Sequence, residues 1–220
     1  MTVFAASSLQ ESFTALAKTF EAEHPGVTVT LSFGASDGLA TQIVQGAPAD
    51  VFASASPKTM ATVTSAHDAG TPTPFATNQL EVATPPSNPA EVHSLSDLAH
   101  PGIKVATCQP AAPCGEAATK LFAKNHLTVT PATLGQDVKA VLTLVELGEV
   151  DAGVVYVTDV DAAGGKVHGV RIEKADNVTS LYPISTLTGS TNKSAAKSFV
   201  DLVLSPAGQS VLRRAGFGPA

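Results

Sequence analysis

One arrangement recurs along this chain and limits what it can fold into. A short apolar stretch gives way to one or two small polar residues, and a run with helical period follows at once. The first instance is Val3-Phe4-Ala5-Ala6-Ser7-Ser8-Leu9, which reads as a buried strand that breaks at two serines and opens directly into a helix. That helix carries Leu9, Phe13, Leu16, Ala17 and Phe20 on one face, the spacing of a 3.6-residue period. Ser8 followed by Glu11 reads as a capping box. A helix start also exposes unpaired N–H groups and a partial positive charge, so the same serine is a natural seat for an anion. Taken alone, Ser8 fits either role.

The arrangement repeats downstream. Val27, Val29, Leu31 and Phe33 alternate as a strand does, and Gly34-Ala35-Ser36-Asp37-Gly38 then turns into a helix bearing Leu39, Ile43 and Val44. Ala49–Ala55 reads as a strand, and Ser56-Pro57 caps the next helix with proline at its first position. The proline-containing stretch Thr71–Phe75 reads as a loop, Leu80–Thr84 as a strand, and Pro85-Pro86-Ser87-Asn88-Pro89 as a rigid extended connection that could mark a domain crossing. Beyond it the patterning predicts a short helix at Ser94–Ala99, a strand at Ile103–Thr107 and a helix from Gly115 to about His126. A helix opening at Gly135-Gln136-Asp137-Val138, a strand through Ala152–Val157, strands near Val170–Ile172 and Leu181–Leu187, and helices Ser194–Leu204 and Pro206–Ala215 complete the chain. Such alternation argues for a largely parallel sheet with helices on both faces.

Composition narrows the class. Of 220 residues, 44% are hydrophobic and 15% charged, enough for a proper core and too apolar for a disordered chain. The net charge is −6 with 13 scattered Lys and Arg residues, which argues against a nucleic-acid surface. No apolar run approaches the roughly 18 residues of a membrane span. The start has neither the basic nor the apolar region of a signal segment, which leaves a cytosolic protein or one whose signal lies outside this chain. Cys108 and Cys114, in Cys108-Gln109-Pro110-Ala111-Ala112-Pro113-Cys114, are two ligands where a closed zinc site wants four. A short-loop disulfide is the better reading, and it points to an oxidising compartment.

In α/β sheets ligands sit beyond the carboxyl ends of strands, where helix N-termini point. Ser8, Ser36, Cys114-Gly115 and Asp137-Val138 lie at such ends, and Tyr156 follows an apolar strand. Together they offer hydroxyls, free backbone N–H groups and a phenol: a donor-rich cluster without charge. Each has a plainer reading, Asp137 as a helix cap and Tyr156 as a core aromatic.

Over essentially its whole length the chain resembles the periplasmic molybdate-binding proteins that serve ATP-driven importers. The resemblance lies in Phe4-Ala5-Ala6-Ser7-Ser8-Leu9, Gly46-Ala47-Pro48-Ala49-Asp50-Val51-Phe52, Asp137-Val138 followed by Leu142-Thr143-Leu144-Val145-Glu146, Gly153-Val154-Val155-Tyr156, and the segment from Gly208 to Phe217. It implies an α/β periplasmic-binding-protein-like fold of two lobes, each a mostly parallel sheet flanked by helices, with the ligand in the cleft. Residues 1–79 and 181–220 would form a discontinuous first lobe and residues 80–180 the second.

By the same resemblance Ser8 and Ser36 would supply hydroxyl and backbone donors, Cys114 and Val138 backbone N–H groups, and Tyr156 its phenol, to molybdate or tungstate. Cys114 departs from the small residue usual at its position, and Asp37 beside Ser36 is a second departure. The resemblance implies no catalysis, no resident cofactor and no direct cation ligand. It implies a membrane permease as partner, a monomer, and an extracytoplasmic setting in which a lipid anchor could precede Met1.

Two alternatives compete. A sulfate-binding protein would use the same donor chemistry. A small serine esterase would use Ser36, because Gly34-Ala35-Ser36-Asp37-Gly38 matches G-x-S-x-G between a strand and a helix. The esterase fits poorly, since one clear strand precedes Ser36 and the six histidines read as surface residues.

Overall fold

The computed structural model describes all 220 residues. In chain order the elements are β1 (Thr2–Ala6), α1 (Gln10–Glu23), β2 (Thr30–Gly34), α2 (Ser36–Val44), β3 (Val51–Ala53), α3 (Pro57–Ser65) and β4 (Thr73–Thr84). There follow β5 (Val105–Cys108), α4 (Pro113–Lys124), β6 (Thr133–Gly135), α5 (Val138–Glu146), β7 (Ala152–Tyr156) and α6 (Val157–Ala163). The last elements are β8 (His168–Val170), β9 (Thr179–Thr186), α7 (Lys193–Leu204) and α8 (Pro206–Arg214). The chain forms two compact units, one of Met1–Thr77 with Leu181–Ala220 and one of Asn78–Ser180. It passes from the first to the second within β4 and returns within β9. The rigid Pro85–Pro89 connection lies inside the second unit.

In the first unit the strand order is β2-β1-β3-β9, with β1 parallel to β2 and β3, and β9 antiparallel to β3. Strand alternation sends successive side chains to opposite faces, and both faces here are covered. Val3, Ala5, Val51 and Ala53 point into a core formed with α1, α7 and α8, while Phe4 and Phe52 point to the other face, against Leu39, Ile43, Met60 and Val63 of α2 and α3. The first core is aromatic: Phe13 lies 5.9 Å from both Phe75 and Phe199, and Tyr182 lies 5.4 Å from Phe217. Such edge-on and tilted pairs add about 0.5–1.5 kcal/mol each beyond the area they bury.

In the second unit the order is β4-β7-β5-β6, and β8 pairs with Val82–Thr84 of β4. β5 runs parallel to β6 and β7, whereas β4 runs antiparallel to β7 and β8. The sheets are therefore mixed, with three adjacent parallel strands in each unit. Helices α4 and α5 pack on β5 and β7. Gly153 of β7 permits this closeness, because a Cβ there would stand 2.7 Å from Val145 Cγ2 and 2.9 Å from Val141 Cγ1.

Several sequence expectations change at element ends. Thr71–Phe75 is not wholly a loop: β4 starts at Thr73 and carries Pro74 near its beginning, where a missing N–H is tolerated. The strand at Ala49–Ala55 contracts to Val51–Ala53, and Val44 of α2 is exposed rather than inward. The three-residue strand β6 has too few residues for an alternating pattern and was not expected. Helix α4 begins at Pro113, two residues before Gly115, so Cys114 is already helical.

Asp50, in the Gly46–Phe52 motif, is a structural latch. Its carboxylate accepts from Thr2 N at 2.6 Å, Ser190 Oγ at 2.6 Å and Asn192 Nδ2 at 3.2 Å. It thereby ties the start of β1 to the approach to α7. Burial opposes ionisation, but these hydrogen bonds outweigh it and hold the carboxyl below its usual range. A depressed folded-state pKa contributes stability that is complete above the unfolded value near 3.9 and is lost as pH falls through the folded value. Asp50→Ala is expected to cost about 2–3 kcal/mol by urea unfolding at pH 7 and to flatten the acid limb of the stability profile. A loss below about 0.5 kcal/mol, within the range of ordinary surface substitutions, would show that Asp50 is no latch.

Candidate functional site

Parallel pairing brings the sequence-derived residues of each unit to one edge of its sheet. In the first unit Ala6 pairs with Gly34 at the ends of β1 and β2. Ser8 and Ser36 each stand two residues beyond those positions, at the carboxyl ends of neighbouring strands. In the second unit Cys108 at the end of β5 pairs with Gly135 at the end of β6, and β7, ending at Tyr156, runs parallel on the other side of β5. Cys114, Val138 and Tyr156 thus follow or end three adjacent parallel strands. All five residues are buried, none more than 5% exposed.

Ser8 does not cap a helix. Residues Ser7–Leu9 form a 3₁₀ turn before α1, and no side chain caps either element. The Ser8 Oγ instead lies 2.9 Å from the hydroxyl of Tyr182 in β9. The capping box expected with Glu11 is absent because the extra turn places Leu9, not Ser8, at the helix entry.

Ser36 is the first residue of α2, and its Oγ accepts from Ala55 N at 3.0 Å. A serine oxygen has two lone pairs and one proton. With the backbone donating to one lone pair, the proton remains for donation elsewhere. Asp37, next along the helix, has its Oδ1 buried without a hydrogen-bond partner.

In the second unit Cys114 is the second residue of α4 and Val138 the first of α5. Both N–H groups therefore belong to the set that has no acceptor within the helix. Asp137 is the helix cap, its Oδ1 accepting from Ala140 N at 3.0 Å. Cys108 and Cys114 form a disulfide with Cα atoms 5.7 Å apart, and the chain has no free cysteine. The bridge draws the start of α4 against the end of β5, and Gly115 is what allows it. A Cβ at Gly115 would lie 2.0 Å from the carbonyl oxygen of Gln109.

Tyr156 ends β7 with its ring buried, and its N–H donates to Asp159 Oδ2 at 3.1 Å. It pairs with Leu80 of β4, beside Glu81, whose carboxyl is pushed up by burial, against Arg171 and with a further push from Asp161.

The sequence reading missed four contributors. Tyr182 has no local signal, because its partner Ser8 lies 174 residues away. Ala55 belongs to Ser54-Ala55-Ser56, a third strand end rich in small polar residues, and that repetition could have flagged it. Lys139 and Asp159 pair across α5 and α6 at 3.2 Å, a contact that spacing along the chain cannot announce.

The G-x-S-x-G match does not acquire the surroundings of a nucleophile. Ser36 receives a backbone proton donor where an esterase serine needs a base. Five of the six histidines are exposed, and half-buried His24 bonds the Phe20 carbonyl through Nδ1. No group of three or more His, Cys, Asp or Glu residues is disposed to hold a metal ion. No helix is long and apolar enough to cross a membrane.

The profile of the bacterial extracellular solute-binding protein family matches residues 1–218. The molybdate-binding protein ModA of Mycobacterium tuberculosis is 41% identical over 216 residues, covering 98% of this chain and 83% of that protein. Among solved structures, the substrate-binding domain of a putative molybdenum ABC transporter from Clostridium difficile is similar with a TM-score of 0.73 at 27% identity, covering 100% of this chain and 98% of that one. The periplasmic molybdate-binding protein of Azotobacter vinelandii has the same fold, with a TM-score of 0.87 at 22% identity and coverage of 100% and 99%. The chain belongs to the bacterial extracellular solute-binding protein family, whose members bind solutes rather than transform them.

Proposed function

We propose that this protein captures a tetrahedral oxyanion, molybdate or tungstate, outside the cytoplasm and delivers it to an ATP-driven permease. The ligand is taken by the hydroxyls of Ser8 and Ser36, the N–H groups of Cys114 and Val138 and the phenol of Tyr156. The protein works as a monomer without a resident cofactor, and a lipid anchor upstream would keep it near its permease. A disulfide fits the oxidising setting.

The observation that carries this reading is the character of the five residues: buried, at strand ends, supplying donors and contributing no charged side chain. A fully ionised tetrahedral anion presents acceptors only, so a site made of donors satisfies it. Ser36 is biased to donate by the Ala55 N–H, and the more acidic phenol of Tyr182 is the better donor towards Ser8. Monohydrogen phosphate brings a proton that needs an acceptor, and leaving it buried without one costs about 1–3 kcal/mol. That relatives 41% identical to this chain are named for molybdate supports molybdate over sulfate as the ligand.

Calorimetric titration with molybdate, tungstate, sulfate and phosphate tests the reading directly. Ser8→Ala and Ser36→Ala are each expected to cost about 1.5–3 kcal/mol, a 10- to 150-fold loss in molybdate affinity. Tyr156→Phe should weaken binding while leaving the ligand-free melting temperature nearly unchanged. Parent-like affinity in both serine variants would refute the site.

Phosphate should compete poorly with molybdate near neutral pH. Equal competition at matched concentrations would mean that a carboxylate accepts its proton, with the unpartnered Asp37 Oδ1 the first to test by Asp37→Asn.

The disulfide yields a separate expectation. Chain entropy alone assigns about 2 kcal/mol to so short a loop, and Pro110 and Pro113 stiffen the unfolded chain enough to reduce that. The bridge also holds the Cys114 N–H in place before the anion arrives, sparing part of the ordering cost. Reduction should therefore weaken molybdate binding by more than the fall in ligand-free melting temperature accounts for. Unchanged affinity after verified reduction would leave the bridge a staple.

A further inference from the structure

We infer that the Lys139–Asp159 ion pair is the positioning device of the second unit, setting the Val138 N–H and the Tyr156 phenol at the spacing one oxyanion requires. The inference rests on the proposed oxyanion site and assigns roles to two residues that do not themselves touch the ligand.

Asp159 is fully buried and its two oxygens face different elements. Oδ2 accepts from the Tyr156 N–H at 3.1 Å, fixing the backbone where β7 turns into α6. Oδ1 lies 3.2 Å from Lys139 Nζ, on the residue next to Val138 in the first turn of α5. One carboxylate therefore joins the two places from which the second unit offers Val138 and Tyr156. The joint is stiffened from each side. Asp137 caps α5 through Ala140 N, and Asn78 Nδ2 donates to Thr158 Oγ1 in the first turn of α6 at 2.8 Å.

The energetics favour a device over an ornament. A surface ion pair contributes little and holds nothing firmly. A fully buried carboxylate has lost its water and cannot be left without a partner, so the lysine is held to it. The pair is also neutral as a unit. A lone ammonium beside the site would attract any anion, and a lone carboxylate would repel them all. Paired, they leave selection to the uncharged donors.

The test is a double-mutant cycle on molybdate affinity, read by calorimetric titration. Lys139→Met is expected to weaken binding at least tenfold, and Lys139→Arg, which keeps the charge and reach, by no more than about threefold. In a Tyr156→Phe background the Lys139→Met loss should shrink to about threefold or less, because the hydroxyl it serves is gone. A role confined to folding would give the same fold-loss in both backgrounds, and that result overturns the inference. So does parent-like affinity in Lys139→Met. If Lys139→Met does not fold, the variant combining it with Asp159→Asn strands no charge and enters the same cycle in its place. Failure of the parent to bind molybdate, or parent-like binding by Tyr156→Phe, overturns the oxyanion site and the inference with it. A parent that binds and a Tyr156→Phe variant that weakens isolate the ion pair as the part at fault.

Discussion

The constraint on which this structure depends is the common direction of three parallel strands in each unit. Parallel strands need a crossover, and a helix supplies it. Each crossover begins at a strand's carboxyl end, so helix starts collect along one sheet edge. Helix starts bring N–H groups that the helix cannot satisfy. The donor-rich character of that edge is thus a consequence of topology before any particular side chain is chosen. Ser8, Ser36, Cys114, Val138 and Tyr156 lie along the edge that the sheet order β2-β1-β3 in one unit and β7-β5-β6 in the other makes.

The architecture was legible wherever burial is two-sided and local. Val3, Ala5, Val51 and Ala53 face one core while Phe4 and Phe52 face another, and such strands read as continuous apolar runs bounded by small polar residues. The helices announced themselves by period, and Ser56-Pro57 by cap chemistry. What stayed hidden is what depends on distant partners. Ser8 looked like a cap because its neighbours in sequence favour one, yet its hydroxyl is claimed by Tyr182 from the far end of the chain. The strand β6 is three residues long and is held by register with β5, not by a pattern of its own. Pro74 disguised the first part of β4, since proline is rare in strands except where no N–H is called for.

The site divides along the same line. The strand-end residues could be named because the repeated arrangement of apolar run, small polar residue and helix points to them. Their supporting contacts could not. Asp159 lies three residues from Tyr156 and reads locally as an acidic residue in a helix's first turn, which is only half of its role. Its other half, toward Lys139, exists only once β7 and α5 have packed, and Gly153 is what lets them pack so closely. Asp50 shows the converse. It sits in a motif that invites a functional reading, and its three partners, Thr2, Ser190 and Asn192, make it architectural.

Hydroxyls are ambivalent groups, able to give or accept, and an uncharged site selective for a fully ionised anion must remove that ambivalence. The surroundings of Ser36 reduce it with one contact. By spending one of the two oxygen lone pairs on the Ala55 N–H, the fold biases the hydroxyl toward giving its proton. Backbone N–H groups at Cys114 and Val138 need no such preparation, because they can only donate. Their requirement is position, met in one case by a covalent bridge and in the other by a capped helix start. In the proposed site, then, selectivity for charge comes from neutral groups whose direction of donation is fixed beforehand. A cluster of lysines would hold an anion more strongly, but would not ask whether it still carried a proton.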